Sequence, residues 1–208
     1  MPPTRDRILD AAESVLRTAG VAHATTKEIA RAAGFSEATL YKHFPDKTAI
    51  FVAVLKERLP PVLDISPDGT AATDGGVEEN LTRLARSALD FYLHSFPISV
   101  SVFSSRAFLA EHAAALRALD SGPHRPLAGV AAYLARERDE GRLRPDADVD
   151  AAAALLLGAC FQRVFLLQFD ERPPTPEQLD AWATAFARTT AAAVAPPAPP
   201  EPPAPPNR

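Results

Sequence analysis

Thr25–Phe44 reads TTKEIARAAGFSEATLYKHF, and Pro45-Asp46-Lys47 follows it. Its apolar residues fall into two sets: Ile29, Ala30 and Ala33 before Gly34, then Phe35, Leu40 and Phe44 after it. That spacing makes two short helices joined by a tight turn. Thr25 and Glu28 supply a T-x-x-E capping box for the first helix. Gly34 allows the positive φ that a sharp turn needs. Ser36 can cap the second helix, which must be short because Pro45 disfavours a helical Phe44. Thr39, Tyr41, Lys42 and His43 cluster on the exposed side of that second helix, while Leu40 and Phe44 point inward. This is the pattern of a helix-turn-helix, which presents its second helix to the DNA major groove.

The flanks continue the helical pattern. Ile8, Ala11, Ala12, Val15, Leu16 and Ala19 share one face of a helix over Thr4–Ala19, with Thr4 placed to cap it and Gly20 to end it. Asp46 can cap a fourth helix that carries Ile50, Phe51, Val54 and Leu55 and stops at Pro60-Pro61. Residues 60–76, PPVLDISPDGTAATDGG, read as a linker. Leu81, Leu84, Ala85, Ala88, Leu89 and Tyr92 then form an apolar stripe closing near Pro97. Further helical stretches cover about Ile98–Leu119, Leu127–Glu140 and Asp148–Phe169. Thr175, Pro176 and Gln178 open a last helix with an N-cap, an N1 proline and a capping-box partner. No alternating strand pattern of useful length occurs. The expected fold is all-α, with about nine helices: a head over 1–59, a helical body over 77–195, and a proline-rich tail over 196–208.

The charge is unevenly spread. The chain carries a net −4, but residues 1–58 hold nine Lys or Arg against seven Asp or Glu, and all four lysines (Lys27, Lys42, Lys47, Lys56) lie there. A mildly basic head on an acidic body suits specific DNA binding and excludes non-specific coating of nucleic acid. Hydrophobic residues make up 47% of the 208, enough for a substantial core. The single cysteine, Cys160, rules out an internal disulfide. It sits in LLLGACFQRVFLL, where it reads as a buried inert thiol rather than a redox sensor. The uninterrupted apolar run Ala151–Phe161 is shorter than the roughly 20 residues that span a bilayer, and the N-terminus lacks a signal-peptide core. The reading is therefore cytoplasmic, with no membrane partner. The five histidines are scattered without ligand spacing, so no metal site is expected, and no cofactor. No phosphate-cradling glycine loop or G-x-S-x-G motif gives an enzymatic reading support.

ILDAAESVLRTAG (8–20) followed by TTKEIARAAGFSEATLYKHFPDK (25–47) resembles the DNA-binding domain of the TetR family of transcriptional regulators. The preceding amphipathic helix, the Thr-Thr start, Gly34, the Tyr41-x-His43-Phe44 run and Lys47 all occur in register. The resemblance covers about a quarter of the chain; the rest matches the family's architecture of a larger helical body that binds effectors and dimerises. It implies a DNA-contacting set of Thr25, Thr26, Lys27, Ser36, Glu37, Ala38, Thr39, Tyr41, Lys42, His43 and Lys47. Tyr41, His43 and Lys47 would meet the phosphate backbone, and Glu37, Ala38, Thr39 and Lys42 would lie near base edges. A lysine in the first turn of helix four opposes the helix dipole, and a phosphate there would offset that cost.

For the body, the resemblance implies an apolar pocket for a small, apolar or aromatic effector; the candidates are Phe91, His94, Phe103, Arg106, Phe108, Tyr133 and Phe161, with a packed core as the alternative. A homodimer interface is expected from Leu155, Gly158, Ala159, Gln162, Leu166, Trp182 and Phe186, against the alternative of an intramolecular core. The function these expectations describe is a ligand-responsive homodimeric repressor released from a palindromic operator. The alternative is a helical small-molecule-binding protein whose head does not bind DNA specifically.

Overall fold

The computed structural model describes residues 2–60, 75–104, 106–118 and 121–196, with the side chain of Phe108 outside that set. The expected linker and tail therefore lie outside the described residues, apart from Pro60, Gly75, Gly76 and Pro196. The described chain is all-α. In order the helices are α1 (Thr4–His23), α2 (Thr26–Ala33), α3 (Glu37–Tyr41), α4 (Lys47–Glu57), α5 (Val77–Ser99), α6 (Arg106–Ala118), α7 (His124–Asp139), α8 (Val149–Leu167) and α9 (Pro176–Val194), with a 3-10 turn at Val100–Ser104 between α5 and α6.

Most starts are set by local capping chemistry. Thr25 and Glu28 close a reciprocal capping box on α2, and Thr175 and Gln178 do the same on α9 behind Pro176 at the first turn. Ser36, Asp46 and Asp148 each accept an N3 backbone N–H at the starts of α3, α4 and α8. Three details differ from the sequence reading. The N-cap of α1 is Pro3, so Thr4 lies inside the helix and caps nothing. Gly20 does break α1, at φ 72° and ψ 164°, but a further turn to His23 follows the break. α5 passes through Pro97 to Ser99 before tightening into the 3-10 turn, because a proline near a helix end disturbs few of the remaining hydrogen bonds.

Two apolar clusters result. One joins Leu81, Leu84, Ala88 and Leu89 of α5 to Val130, Tyr133 and Leu134 of α7, Leu156, Leu157, Cys160 and Val164 of α8, and Ala183 and Ala187 of α9. The other joins Ile8, Leu9 and Leu16 of α1 to Ile29, Leu40, Phe44, Ile50, Phe51 and Val54 of the head. Ile98 and Val102 belong to this head cluster, although they lie in the body's sequence. The end of α5 is thus a wedge that both parts share. Arg5 grips Glu57 with two 2.6 Å hydrogen bonds, and Arg58 meets Asp6 and Asp10 at 2.9 and 2.7 Å, tying α1 to the end of α4. Exposed pairs of this kind contribute about 0–1 kcal/mol each.

By length and composition alone, α8 is long and apolar enough to cross a membrane, more so than its uninterrupted apolar run suggested. Its buried side packs in the body core through Ala152, Ala153, Leu156, Leu157, Cys160 and Val164. Its other sides expose Leu155, Phe161, Phe165 and Leu166, and Phe169 is exposed just beyond its end.

Candidate DNA interface and regulatory body

The turn between α2 and α3 is fixed from inside the head. Gly34 takes φ 75° and ψ 30°, and its N–H reaches the carbonyls of Ala30 and Arg31. Arg7 of α1 donates to Ala33 O at 3.1 Å, and its guanidinium lies 4.6 Å from the centre of the Phe35 ring. Arg5 similarly lies over Phe44 at 5.2 Å. These two arginines set the pose of α3, and the sequence reading assigned neither a role. Their partners are remote in sequence, so no local spacing announces them.

None of the residues expected to meet DNA is buried in the head core. Lys27, Ala38, Tyr41, Lys42 and His43 are exposed. Thr25 is exposed too, but its hydroxyl already serves the capping box: it accepts from the Glu28 N–H at 3.1 Å and donates to the Glu28 carboxylate at 2.8 Å. Those Thr25 bonds hold the Glu28 carboxyl below its usual range. Ser36 and Thr39 share a hydroxyl–hydroxyl bond of 2.9 Å. Thr26 donates to Glu37 at 2.5 Å and approaches the Tyr41 hydroxyl at 3.3 Å, linking the first residue of α2 to the two ends of α3.

Lys47 is placed differently from the rest. Its Nζ donates to Val21 O at 2.8 Å and Ala24 O at 3.2 Å, and the side chain is half-buried. Burial lowers its pKa, partly offset by the nearby Glu111 carboxylate. The group expected to meet a phosphate thus contacts the backbone at the end of α1. The carbonyl end of α1 carries partial negative charge and unsatisfied acceptors, and it supplies what an anion would have supplied. The same backbone turn is held from the body: the Ala22 N–H donates to Ser101 Oγ at 3.0 Å.

Of the residues named for an effector pocket, the six with described side chains are not brought together. Tyr133 is buried among the packed side chains of the body core. Phe103 is 71% exposed on the 3-10 turn, and Arg106 is exposed at the start of α6. Phe91 packs against the head cluster. His94 donates from Nδ1 to Asp90 O at 2.7 Å in the tautomer that carries the proton there. Phe108 falls outside the described side chains. Phe161 instead joins a row of rings across α5 and α8: Tyr92–Phe161 at 5.5 Å, Phe96–Phe161 at 6.0 Å, Phe96–Phe165 at 6.1 Å and Phe165–Phe169 at 5.4 Å. The sequence reading did not name Phe165 and Phe169 as site candidates, although their spacing of four and eight from Phe161 was visible.

The seven interface candidates do share a region. Leu155, Gly158, Gln162 and Leu166 are exposed on α8, and Ala159, Trp182 and Phe186 are half-buried beside them. Ala159, Gln162, Arg163, Leu166 and Phe186 line a shallow depression of about 70 Å³. Arg163 stacks over the Trp182 ring at 4.6 Å, tying α8 to α9 at its edge.

Comparison with known proteins agrees with this geometry in both parts. Residues 8–54 match the family described as bacterial regulatory proteins, tetR family, and residues 79–195 match the AefR-like transcriptional repressor C-terminal domain. Over 66 residues the chain is 46% identical to the HTH-type transcriptional regulator SrpR of Pseudomonas putida, covering 31% of each chain. It is equally similar over 66 residues to the uncharacterized HTH-type transcriptional regulator TtgW, also of Pseudomonas putida, covering 31% of this chain and 49% of that one. The chain thus matches a third to a half of the length of these relatives. Solved structures extend the likeness to nearly the whole chain. A TetR-family regulator from Mesorhizobium loti superposes with a TM-score of 0.69 at 22% identity, over 92% of this chain and 96% of that one. SmeT, the repressor of the Stenotrophomonas maltophilia multidrug efflux pump SmeDEF, gives 0.65 at 22% identity, over 93% and 91%. Bacillus subtilis FadR in complex with stearoyl-CoA gives 0.66 at 16% identity, over 91% and 98%. At these identities the superpositions speak for the fold alone. A capped helix-turn-helix head, a helical body with the matching C-terminal pattern, and a fold shared over nearly the whole chain lead to one assignment: the chain belongs to the TetR family of bacterial transcriptional regulators.

Proposed function

We propose that the protein is a homodimeric, cytoplasmic repressor that binds a two-fold DNA operator and releases it when a small apolar or aromatic effector binds the body. The observation that carries this reading is the single outward surface of Lys27, Ser36, Ala38, Thr39, Tyr41, Lys42 and His43 on a helix-turn-helix whose pose is locked from within. Hydroxyls, an imidazole and ammonium groups are what phosphates and base edges accept. Lys47 is left out of the contact set and assigned to holding α1 against α4.

Two further features support the reading. The exposed apolar face of α8 with Trp182 and Phe186 of α9 suits burial against a second copy, and two recognition helices in a dimer must meet major-groove sites about 34–36 Å apart. The ring row from Tyr92 to Phe169 suits an apolar or aromatic ligand. FadR of Bacillus subtilis, a protein of the same fold, was solved with stearoyl-CoA, whose acyl chain is apolar, which fits an apolar effector here. No enzymatic step is part of the proposal. The test is fluorescence-anisotropy binding to the intergenic DNA upstream of its own gene. Wild type is expected to bind specifically, and the Tyr41→Ala, His43→Ala double variant to bind at least about tenfold more weakly. Equal affinities would overturn the assigned surface.

A further inference from the structure

Glu37 is the one acidic side chain in the surface assigned to DNA. Phosphates repel a carboxylate, so its presence there calls for a reason beyond affinity. It opens α3, where the helix dipole favours a negative charge, and it is tied across to α2. Thr26 Oγ1 lies 2.5 Å from Glu37 Oε1 and 3.3 Å from the Tyr41 hydroxyl. A threonine hydroxyl has one proton, and an ionised carboxylate can only accept. The proton of Thr26 therefore goes to Glu37, and the contact with Tyr41 must be donated by Tyr41. The chain of donation runs from Tyr41 through Thr26 to Glu37 and ends on a fixed carboxylate. Its second oxygen, Oε2, accepts no hydrogen bond from the described residues.

In the major groove, guanine presents two acceptors, thymine an acceptor and a methyl group, and adenine an amino group beside the N7 acceptor. A carboxylate is repelled by each of those acceptors. Cytosine presents its N4 amino group with no acceptor beside it. We propose that Glu37, aimed by Thr26 and Tyr41, is the specificity-determining residue that selects a cytosine in each half of the operator. This inference rests on the reading of the head as a sequence-specific DNA binder. It assigns Thr26 and the single hydroxyl proton of Tyr41 to aiming Glu37, so Tyr41 donates to a phosphate only when its contact with Thr26 is released. It makes Glu37 a filter as well as a contact, because guanine and thymine offer the carboxylate no donor and adenine sets the N7 acceptor beside its amino group.

The experiment is selection of bound duplexes from a random-sequence pool by the full-length chain, comparing wild type with Glu37→Ala and Glu37→Gln and reading the enriched sites by sequencing. Wild type is expected to enrich a two-fold site with one fixed C·G pair in each half. Glu37→Ala should enrich the same site with that pair relaxed, discrimination there falling about tenfold or more. Its salt dependence on one fixed duplex should not change, because Glu37 neutralises no phosphate. Glu37→Gln, of the same shape, should shift that position toward adenine, whose N6 and N7 an amide can pair with. If wild type enriches a site and both variants enrich it unchanged, this inference is overturned and the DNA-binding reading stands. If wild type enriches no site, both fall.

Discussion

Lys47 shows how one side chain's surroundings bear on its role. Its ammonium group meets two main-chain carbonyls at 2.8 and 3.2 Å, and those carbonyls belong to the turn that ends α1. A lysine bound to phosphate and a lysine bound to backbone leave different signatures in Lys47→Ala. Loss of a phosphate contact lowers the slope of log affinity against log salt by about one, whereas loss of a backbone tie leaves the slope alone. The geometry favours the second outcome, with a stability loss of about 1–2 kcal/mol in urea unfolding from the charged hydrogen bonds removed. A slope reduced by about one, with unchanged stability, would return Lys47 to the DNA surface. The motif alone could not separate these roles. Val21 and Ala24 lie 26 and 23 residues before Lys47 in sequence, and nothing in the spacing PDK says which way its side chain turns.

Among the helices, what was legible beforehand divides by the reach of the interaction. Each cap read from the sequence and found in place spans three residues: Thr25 with Glu28, Ser36 with Thr39, Asp46 with Ala49, Thr175 with Gln178. Thr4 failed as a cap because Pro3, one residue earlier, takes that place. The Thr25 to Lys47 stretch therefore declared its helices and its turn. It did not declare Arg7 capping α2, or Ser101 accepting from Ala22 across 79 residues, since both depend on how helices dock. Gly34 shows the local rule at work. At φ 75° an alanine is strained, and its Cβ would press on the Arg7 guanidinium at 3.3 Å. Gly34→Ala should cost about 1–2 kcal/mol. It should also weaken DNA binding, because the pose of α3 depends on that turn. Unchanged thermal stability in Gly34→Ala would show that the turn adjusts freely.

In the whole molecule, head and body are joined by a shared wedge and a ring contact. Ile98 and Val102 enter the head cluster, and buried His112 of α6 packs against Phe51 of α4 with ring centres 4.8 Å apart. The groups facing this imidazole are Lys47 on α4 and Glu111 on its own helix. Burial first, and then the Lys47 charge, push the His112 pKa down, against a smaller upward pull from Glu111. An unfolded His112 takes up a proton near its ordinary value of about 6.5, and the folded one resists, so stability is lost as pH falls through that region. The carboxyls held below their usual range, such as Glu57 beside Arg5, lose their contribution only at lower pH. Thermal melting between about pH 7.5 and 5.5 should therefore show a drop that is smaller in His112→Leu. An equal drop in both proteins would remove His112 from the junction's pH response. The proposed effector pocket was the least legible part. A pocket is a gap between helices, and apolar spacing looks the same whether a phenylalanine fills a core or lines a gap. Phe161 and Tyr133 illustrate this, the first in an exposed row of rings and the second packed in the core. The proposal that ties these levels together is specific DNA binding by the head of a dimer. It is tested most directly by the ratio of dissociation constants for scrambled DNA and for the DNA upstream of its own gene, measured at about 0.15 M salt. A ratio of about 10³ or more agrees with a sequence-reading head. A ratio near one would contradict it, whatever the family resemblance of the fold.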